Sequence, residues 1–394
     1  MAENAHYPTR RIAVSGYYGF RNSGDEAVLR SILLALEEQG EAQGVRIEPV
    51  VLSADPAWTA KMYGVEAAPR MHPASLLRTL RSCDGLISGG GSLLQDATGA
   101  KTIPYYTGVI KLAQWLGKPT FIYSQGIGPV NRRWMDPLIA HVMKKSAYIS
   151  VRDAESAALL ARMGVPQDRI EVVPDPVMGL PLPADAAAAS GAAAGRAEGG
   201  AAGGNAGDGV PVVGVSLRRW RPDGADLDRA ADALAALAAS RPVRLRFLPF
   251  HTPDDAETSR DVMKRLEGRL GAGSAAELAE PGDDPQRMLL EVSRCDILFG
   301  MRLHALIYAA NRSVPMLGLS YDPKIDQFLA RLELQAVGTT EKLDSGVFAA
   351  EAVALLDRRA EWQREHAAAI DGLRQQAQQP AQQIAKLLRQ LNSR

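Results

Sequence analysis

Two ten-residue stretches share one plan, and that duplication restricts the fold more than any other feature of the chain. Residues 83–92 run Cys83-Asp84-Gly85-Leu86-Ile87-Ser88-Gly89-Gly90-Gly91-Ser92, and residues 295–304 run Cys295-Asp296-Ile297-Leu298-Phe299-Gly300-Met301-Arg302-Leu303-His304. In each, a helical stretch ends, a Cys-Asp pair follows, a short apolar strand runs, and a turn of small residues closes it. The chain's only two cysteines hold equivalent places. Two further pairs match in the same order: residues 11–16 with 210–216, and 118–126 with 314–321. Short apolar strands alternating with helical periodicity indicate α/β domains with parallel sheets. The repeat therefore predicts two similar α/β domains facing each other, with a site in the cleft at the carboxyl ends of the strands.

Taken in order, residues 12–15 read as a buried strand, followed by a Gly-rich loop and a helix over 27–38. Its glycine spacing does not match the dinucleotide fingerprint, so a nicotinamide cofactor is not expected. Ser23 and Asp25 suit helix caps. Strands are expected at 45–52, 85–88, 120–124, 147–151 and 170–173, with helices over 73–81, 105–116 and 136–145. Residues 184–209 are nearly all Ala and Gly and offer nothing to bury, so they read as a flexible linker or insertion. Strands follow at 213–217, 244–248 and 316–319, with helices over 226–240, 254–270 and 284–293. From 348 the chain reads as helical, broken at Pro380. The implied domains are residues 10–180, a linker at 181–210, a second domain at 211–347 and a helical segment at 348–394.

Charge balance excludes some functions. Lys plus Arg and Asp plus Glu both total 45, which argues against general nucleic-acid binding while leaving room for a local basic cleft. Both cysteines fall at strand starts and read as buried thiols, consistent with a reducing compartment. No apolar run reaches membrane-spanning length, and the polar N-terminus lacks a signal-peptide core. A cytoplasmic protein is expected, with peripheral contact to a membrane through the basic stretch beyond Pro380 as the alternative to a solvated helix.

The residues suited to chemistry cluster at predicted strand ends. Arg152, Arg218, Arg302 and Lys324 supply cations, and His304 supplies an imidazole near a helix start. Such an array suits a small, multiply charged anion. Arg152 could equally pair with Asp153 or Glu155, and Lys324 could be a plain surface charge. Histidine titrates near neutral pH and is a plausible proton carrier, although a lone histidine is more often structural. Tyr18 and Phe20 sit on the first Gly-rich loop, where aromatics are poorly placed for a core and well placed to cover a sugar or a small acid. Gly89, Gly90 and Gly91 let backbone N–H groups approach a ligand closely. No zinc-ligand spacing, nucleophile elbow or Walker loop occurs.

Six motifs together resemble the bacterial polysaccharide pyruvyl transferases. They are residues 16–26 (Gly16-Tyr17-Tyr18-Gly19-Phe20-Arg21-Asn22-Ser23-Gly24-Asp25-Glu26), residues 88–96, residues 125–129 (Gln125-Gly126-Ile127-Gly128-Pro129), Arg152-Asp153 with Ser156, residues 301–304, and Ser320-Tyr321-Asp322 with Lys324. The likeness is strongest to the type that modifies a secondary cell-wall polymer for S-layer anchoring. It spans about residues 10–330 apart from the Ala/Gly block. The resemblance implies a fold similar to GT-B glycosyltransferases and phosphoenolpyruvate as co-substrate, with no metal or nucleotide cofactor. It implies a lipid-linked disaccharide containing N-acetylmannosamine as acceptor, a 4,6-pyruvate ketal as product, and phosphate released. On this reading His304, Arg152 and Lys324 are catalytic; Arg218, Arg302, Ser320 and Tyr321 bind the donor. Tyr18, Phe20, Asn22, Gly89, Gly90, Gly91, Gln125 and Gly126 line the acceptor side. The alternatives are a GT-B glycosyltransferase or sialyltransferase using a nucleotide sugar, and a non-catalytic sugar-binding module.

Overall fold

The computed structural model describes residues 7–97, 99–186 and 209–391. Most of the Ala/Gly block, residues 187–208, lies outside the described residues. The chain divides into two compact units. One comprises residues 1–21, 25–180 and 373–394; the other comprises residues 22–24 and 181–372.

The first unit is built from β1 (Thr9–Ser15), α1 (Ser23–Gln43, its first two residues grouping with the second unit), β2 (Arg46–Ser53), α2 (Pro56–Tyr63), β3 (Glu66–Pro69), α3 (Pro73–Ser82), β4 (Gly85–Ser88), β5 (Gly91–Leu94), α4 (Thr102–Trp115), β6 (Thr120–Ile127), α5 (Asp136–Lys144), β7 (Tyr148–Val151), α6 (Ala154–Arg162) and β8 (Glu171–Val172). Its sheet is parallel, in the order β3-β2-β1-β4-β6-β7-β8, with β5 also paired to β6. The second unit contains β9 (Val212–Ser216), α7 (Ala225–Ser240), β10 (Arg244–Phe247), α8 (Asp254–Leu266), β11 (Ala275–Leu278), α9 (Pro285–Ser293), β12 (Ile297–Gly300), α10 (Leu303–Asn311), β13 (Met316–Ser320), α11 (Pro323–Ala330), β14 (Gly338–Thr339) and α12 (Ser345–Asp357). Its parallel sheet runs β11-β10-β9-β12-β13-β14. Two further helices follow, α13 (Arg359–Ala377) and α14 (Gln379–Gln390).

Both sheets start from the middle, run outward through three strands, and return to the other side of the first strand. The order reverses between β1 and β4 in one unit and between β9 and β12 in the other, the places where such sheets bind ligands. The internal repeat extends to single hydrogen bonds. Asp84 Oδ2 accepts from Arg11 N at 2.9 Å while Asp84 N donates to Arg11 O at 2.7 Å. Asp296 Oδ2 accepts from Val212 N at 2.7 Å while Asp296 N donates to Val212 O at 2.7 Å. Each aspartate thus closes the amino end of the first strand of its sheet. Beside them, Cys83 and Cys295 are buried free thiols, and burial pushes both thiol pKa values up, that of Cys295 to about 12.

Some elements have weak sequence signals. The strands β3 and β11 are Glu66-Ala67-Ala68-Pro69 and Ala275-Ala276-Glu277-Leu278, residues of low strand propensity. They are extended because each hydrogen-bonds along the outer edge of its sheet. Gln125 and Gly126, expected on a loop, are the sixth and seventh residues of β6, which continues to Ile127 by pairing with β5 and β7. At the C-terminus the helix breaks at Arg358 and Gln378 rather than at Pro380. The proline lies in the first turn of α14, where its missing N–H costs nothing. Helix α14 packs on β6 and β7, with Ala381, Ile384, Ala385 and Leu388 buried. Arg10 Nε donates to Leu388 O at 3.1 Å. The apolar side of the basic C-terminal helix is thus used inside the first unit, so these side chains are not available for the membrane contact weighed as the alternative to a solvated helix.

Candidate functional site

In the first unit the loop after β1 is held by a buried carboxylate. Glu26 Oε1 accepts from Gly19 N (2.9 Å) and Arg21 N (3.3 Å), and Glu26 Oε2 accepts from the Tyr63 hydroxyl (2.8 Å). Burial raises the Glu26 pKa, with these donors opposing. The clamp turns the two halves of the loop in opposite directions. Tyr18 goes inward and is 0% exposed; Phe20 goes outward and is 40% exposed. The expectation that Tyr18 covers a ligand is therefore corrected. Its ring fills the space left by two absent side chains, since a Cβ on Gly16 would lie 2.2 Å from its Cζ and one on Gly89 2.2 Å from its Oη.

The exposed aromatic surface is instead Tyr17 stacked on Phe20, with centroids 4.0 Å apart and planes 8° from parallel. Beneath them lies the buried Arg70, whose guanidinium sits within cation–π reach of Tyr17, Phe20, Tyr105 and Tyr106. Arg70 also donates to Gly16 O (3.2 Å) and to the Tyr106 hydroxyl (3.1 Å). Sequence reasoning missed Tyr17 and Arg70. No local pattern marks an arginine far along the chain as the floor of this loop.

The glycines at 89–91 also have structural roles. The Gly89 N–H is bonded to Ser15 O at 2.8 Å and is not offered to a ligand. A Cβ on Gly90 would lie 2.9 Å from Val28, and Gly91 has φ +89°, which favours glycine. Gln125 is buried, with Oε1 accepting from Ser88 at 3.5 Å. Gly126 makes room for Arg152, because a Cβ there would meet the guanidinium at 2.9–3.0 Å. Arg152 lies at the carboxyl end of β7. It donates to Ser92 Oγ (2.8 Å) and pairs with Asp153 (3.5 Å) and with the buried Asp175 (3.8 Å). Asp175 was not anticipated; it reaches Arg152 from the start of a short 3-10 turn that it caps.

In the second unit the adjacent strands β9, β12 and β13 end at three neighbouring loops. Arg218 follows β9, and its Nη1 lies 3.5 Å from the Tyr321 hydroxyl. Its guanidinium is 5.5 Å from the Trp220 ring centroid and 5.7 Å from that of Tyr321. Lys324 Nζ lies 5.9 Å from the same Tyr321 ring and 3.2 Å from Asp322. Trp220 tilts against Tyr321 with centroids 4.5 Å apart. The sheet thus gathers Arg218, Tyr321 and Lys324, and adds Trp220, which sequence reasoning left out. Asp226 supports this loop as Glu26 supports the first, accepting from Trp220 N (3.1 Å) and Arg221 N (3.3 Å). Ser320 donates to Asp326 at 2.6 Å, so its hydroxyl proton is committed within the protein.

After β12 the chain turns through Arg302 into α10. Arg302 forms an ion pair with the buried Asp255 of α8. Burial raises the Asp255 pKa, and the Arg302 guanidinium opposes it. Asp255 also accepts from His251 N at 2.9 Å. Two residues on, His304 stands in the first turn of α10, its ring against Gly24: a Cβ on Gly24 would be 2.2 Å from Nδ1. Residues 22–24 belong to this unit. Asn22 forms a bridge to His251, and its Oδ1 accepts from Gly24 N at 3.1 Å. Ser23 N donates to Phe250 O at 3.0 Å. Asn22, expected on the acceptor side, therefore caps the backbone that confines His304. Among the described residues no cluster of His, Cys, Asp and Glu could hold a metal ion.

Comparison with known proteins gives a family and a fold. The family model for polysaccharide pyruvyl transferases matches residues 22–323. No curated protein matches. Among solved structures, the UDP-GlcNAc 2-epimerase from Neisseria meningitidis bound to UDP-GlcNAc superposes with a TM-score of 0.62 at 13% identity, covering 96% of this chain and 99% of its own. HepE from Anabaena in complex with UDP and glucose gives 0.57 at 13% identity, with 97% and 100% covered. A glycosyltransferase from Rickettsia africae gives 0.61 at 12% identity, with 98% and 100% covered. At such identities the likeness is one of fold, and that fold is GT-B-like.

Proposed function

Because the chain belongs to the polysaccharide pyruvyl transferase family and is a transferase, we propose that it moves pyruvate from phosphoenolpyruvate onto a sugar as a cyclic ketal. The proposed acceptor is the N-acetylmannosamine of a lipid-linked cell-wall polymer precursor, of the kind used for S-layer anchoring, met at the inner face of the membrane. The product is the 4,6-ketal, and no cofactor takes part. The observation that carries this reading is the convergence of Arg218, Arg302, His304 and Lys324 at the carboxyl ends of three adjacent strands, β9, β12 and β13.

The chemistry asks for such an array. A proton adds to the methylene carbon of phosphoenolpyruvate and leaves the enol carbon electrophilic. One sugar hydroxyl forms a C–O bond there and releases its proton. The second hydroxyl forms the other C–O bond as the bond to phosphate breaks, and phosphate leaves with that electron pair. The second hydroxyl proton passes to phosphate or water. Arg218, Arg302 and Lys324 hold the donor's carboxylate and phosphate, with fixed charges that need no reorganisation during the reaction. Tyr321 keeps Arg218 and Lys324 together by offering its ring to both. His304 carries the proton. Arg152 of the first unit joins Lys324 as a catalytic cation, and Phe20 stacked on Tyr17 faces the acceptor.

The test is phosphate release from phosphoenolpyruvate with and without an N-acetylglucosamine–N-acetylmannosamine lipid analogue, with mass spectrometry of the sugar. Acceptor-dependent phosphate together with a sugar carrying a pyruvate ketal is the expected result. His304→Ala should slow turnover about 10²–10⁴-fold. No phosphate, together with saturable binding of a nucleotide sugar, would overturn the reading in favour of a glycosyltransferase.

A further inference from the structure

The first unit carries a surface that the transferase reading does not use. Trp115, at the end of α4, is 74% exposed, and Trp134, just before α5, is 60% exposed. Leu138 is exposed as well. Trp134, Leu138, His141 and Lys145 recur at helical spacing along the 3-10 turn Arg133–Met135 and α5, so they share one face. Lys111 joins this face to Trp115: its Nζ meets His141 Nε2 and lies 5.4 Å from the Trp115 ring centroid. Lys145 stands one helical turn on from His141, and partial desolvation, with the charges of Lys111 and Lys145, holds the imidazole below its usual pKa. The patch is contiguous, apolar at Trp115, Leu138 and Trp134, and cationic between.

Its charge is local. The whole chain is neutral, yet residues 111–145 contain Lys111, Lys118, Arg132, Arg133, Lys144 and Lys145 against the single acid Asp136; Arg132 pairs with Asp96 and Arg133 with Asp136, so the excess lies with the lysines. Tryptophan is costly to leave in water and is favoured at the boundary between lipid headgroups and acyl chains. Basic residues around such side chains add attraction to anionic lipid.

We propose that the face formed by Trp115, Lys111, His141, Leu138 and Trp134 docks on an anionic lipid bilayer. The two tryptophans insert at headgroup depth, and the lysines meet lipid phosphates. The proposal deepens the reading of a lipid-linked acceptor but does not depend on it, because docking is read without turnover.

The experiment is co-sedimentation of the full chain with vesicles of phosphatidylcholine, with and without phosphatidylglycerol. The expected result is binding to the anionic vesicles, weakened by salt, with little binding to phosphatidylcholine alone. Trp115→Ser combined with Trp134→Ser should abolish measurable sedimentation. Lys111→Ala and Lys145→Ala should each weaken partition about fivefold. These side chains are at or near the surface, so circular dichroism and melting temperature should stay at wild-type values. Wild-type protein that ignores anionic vesicles, or binding that the tryptophan pair leaves unchanged, would overturn the proposal. Binding lost only together with the melting transition would be read again with Leu138→Ser, which leaves both tryptophans in place and should weaken docking without unfolding.

Discussion

Gly24→Ala separates the position of His304 from the stability of the fold. A Cβ at residue 24 would stand 2.2 Å from His304 Nδ1, 2.7 Å from Cγ and 2.8 Å from Cε1, where ordinary contact begins at 3.4 Å. The obstacle is a ring rather than the end of a flexible chain, so the imidazole must shift by about 1 Å. A misplacement of that size at a reacting group costs on the order of a hundredfold in rate. Stability responds differently. Alanine is favoured over glycine in a helix by about 1 kcal/mol, while local overpacking costs about 1–3 kcal/mol. The net loss should therefore stay within about 2 kcal/mol, and the enzyme should remain folded. The assay is steady-state phosphate release for Gly24→Ala, His304→Ala and the double variant. If Gly24 acts only through His304, the double variant is no slower than His304→Ala. Wild-type turnover in Gly24→Ala would refute the reasoning. A double variant slower than His304→Ala by the full Gly24→Ala factor would refute it too.

Other predictions follow from the same geometry. Gly16→Ala and Gly89→Ala should each destabilise by about 1–3 kcal/mol in urea unfolding. Tyr18→Phe should rescue only Gly89→Ala, because the atom a Cβ meets first is the hydroxyl at Gly89 but ring carbons at Gly16. Tyr18→Phe alone should be neutral or stabilising, since its buried hydroxyl has no hydrogen-bond partner among the described residues. Glu26 holds its proton to a higher pH when folded than its ordinary value of 4.5. As pH rises through that window the unfolded chain ionises first, so stability falls; Glu26→Gln should remove this component, measured as the pH dependence of the difference in urea midpoints. Arg70→Met should raise the acceptor KM more than it lowers kcat, because it frees Tyr17 and Phe20 from the guanidinium beneath them; an unchanged KM would detach that pair from acceptor binding.

Much of the architecture was legible in the chain. The doubled Cys-Asp strands became the middle strands β4 and β12, and their aspartates perform the same closure in both sheets. Periodicity located most central strands and helices, because a buried parallel strand must be almost continuously apolar. The edges were not legible. Strands β3 and β11 owe their extended form to pairing with a neighbour rather than to their own residues. The candidate site divides in the same way. The cations Arg152, Arg218, Arg302 and Lys324 could be named because each lies within two residues of a strand's end or opens the helix after one. The side chains that hold Arg152 and Arg302, Asp175 and Asp255, carry no mark of their own.

What the sequence by itself determined is the family and the two-unit parallel α/β plan with cations at the strand ends. These follow from local pattern, since apolar runs, glycine turns and motif spacing are properties of short stretches of chain. Only the tertiary structure decided which side chain on a loop faces solvent. Tyr18 and Phe20 are two residues apart on the same loop, yet one is sealed between two glycines and the other is stacked outside on Tyr17. It likewise decided that Asp255 meets Arg302, 47 residues along the chain, and that helix α14 buries its apolar side against β6 and β7. The reason is physical: burial and charge pairing depend on what other parts of the chain bring to a point in space, and the stretch that holds the residue does not encode them.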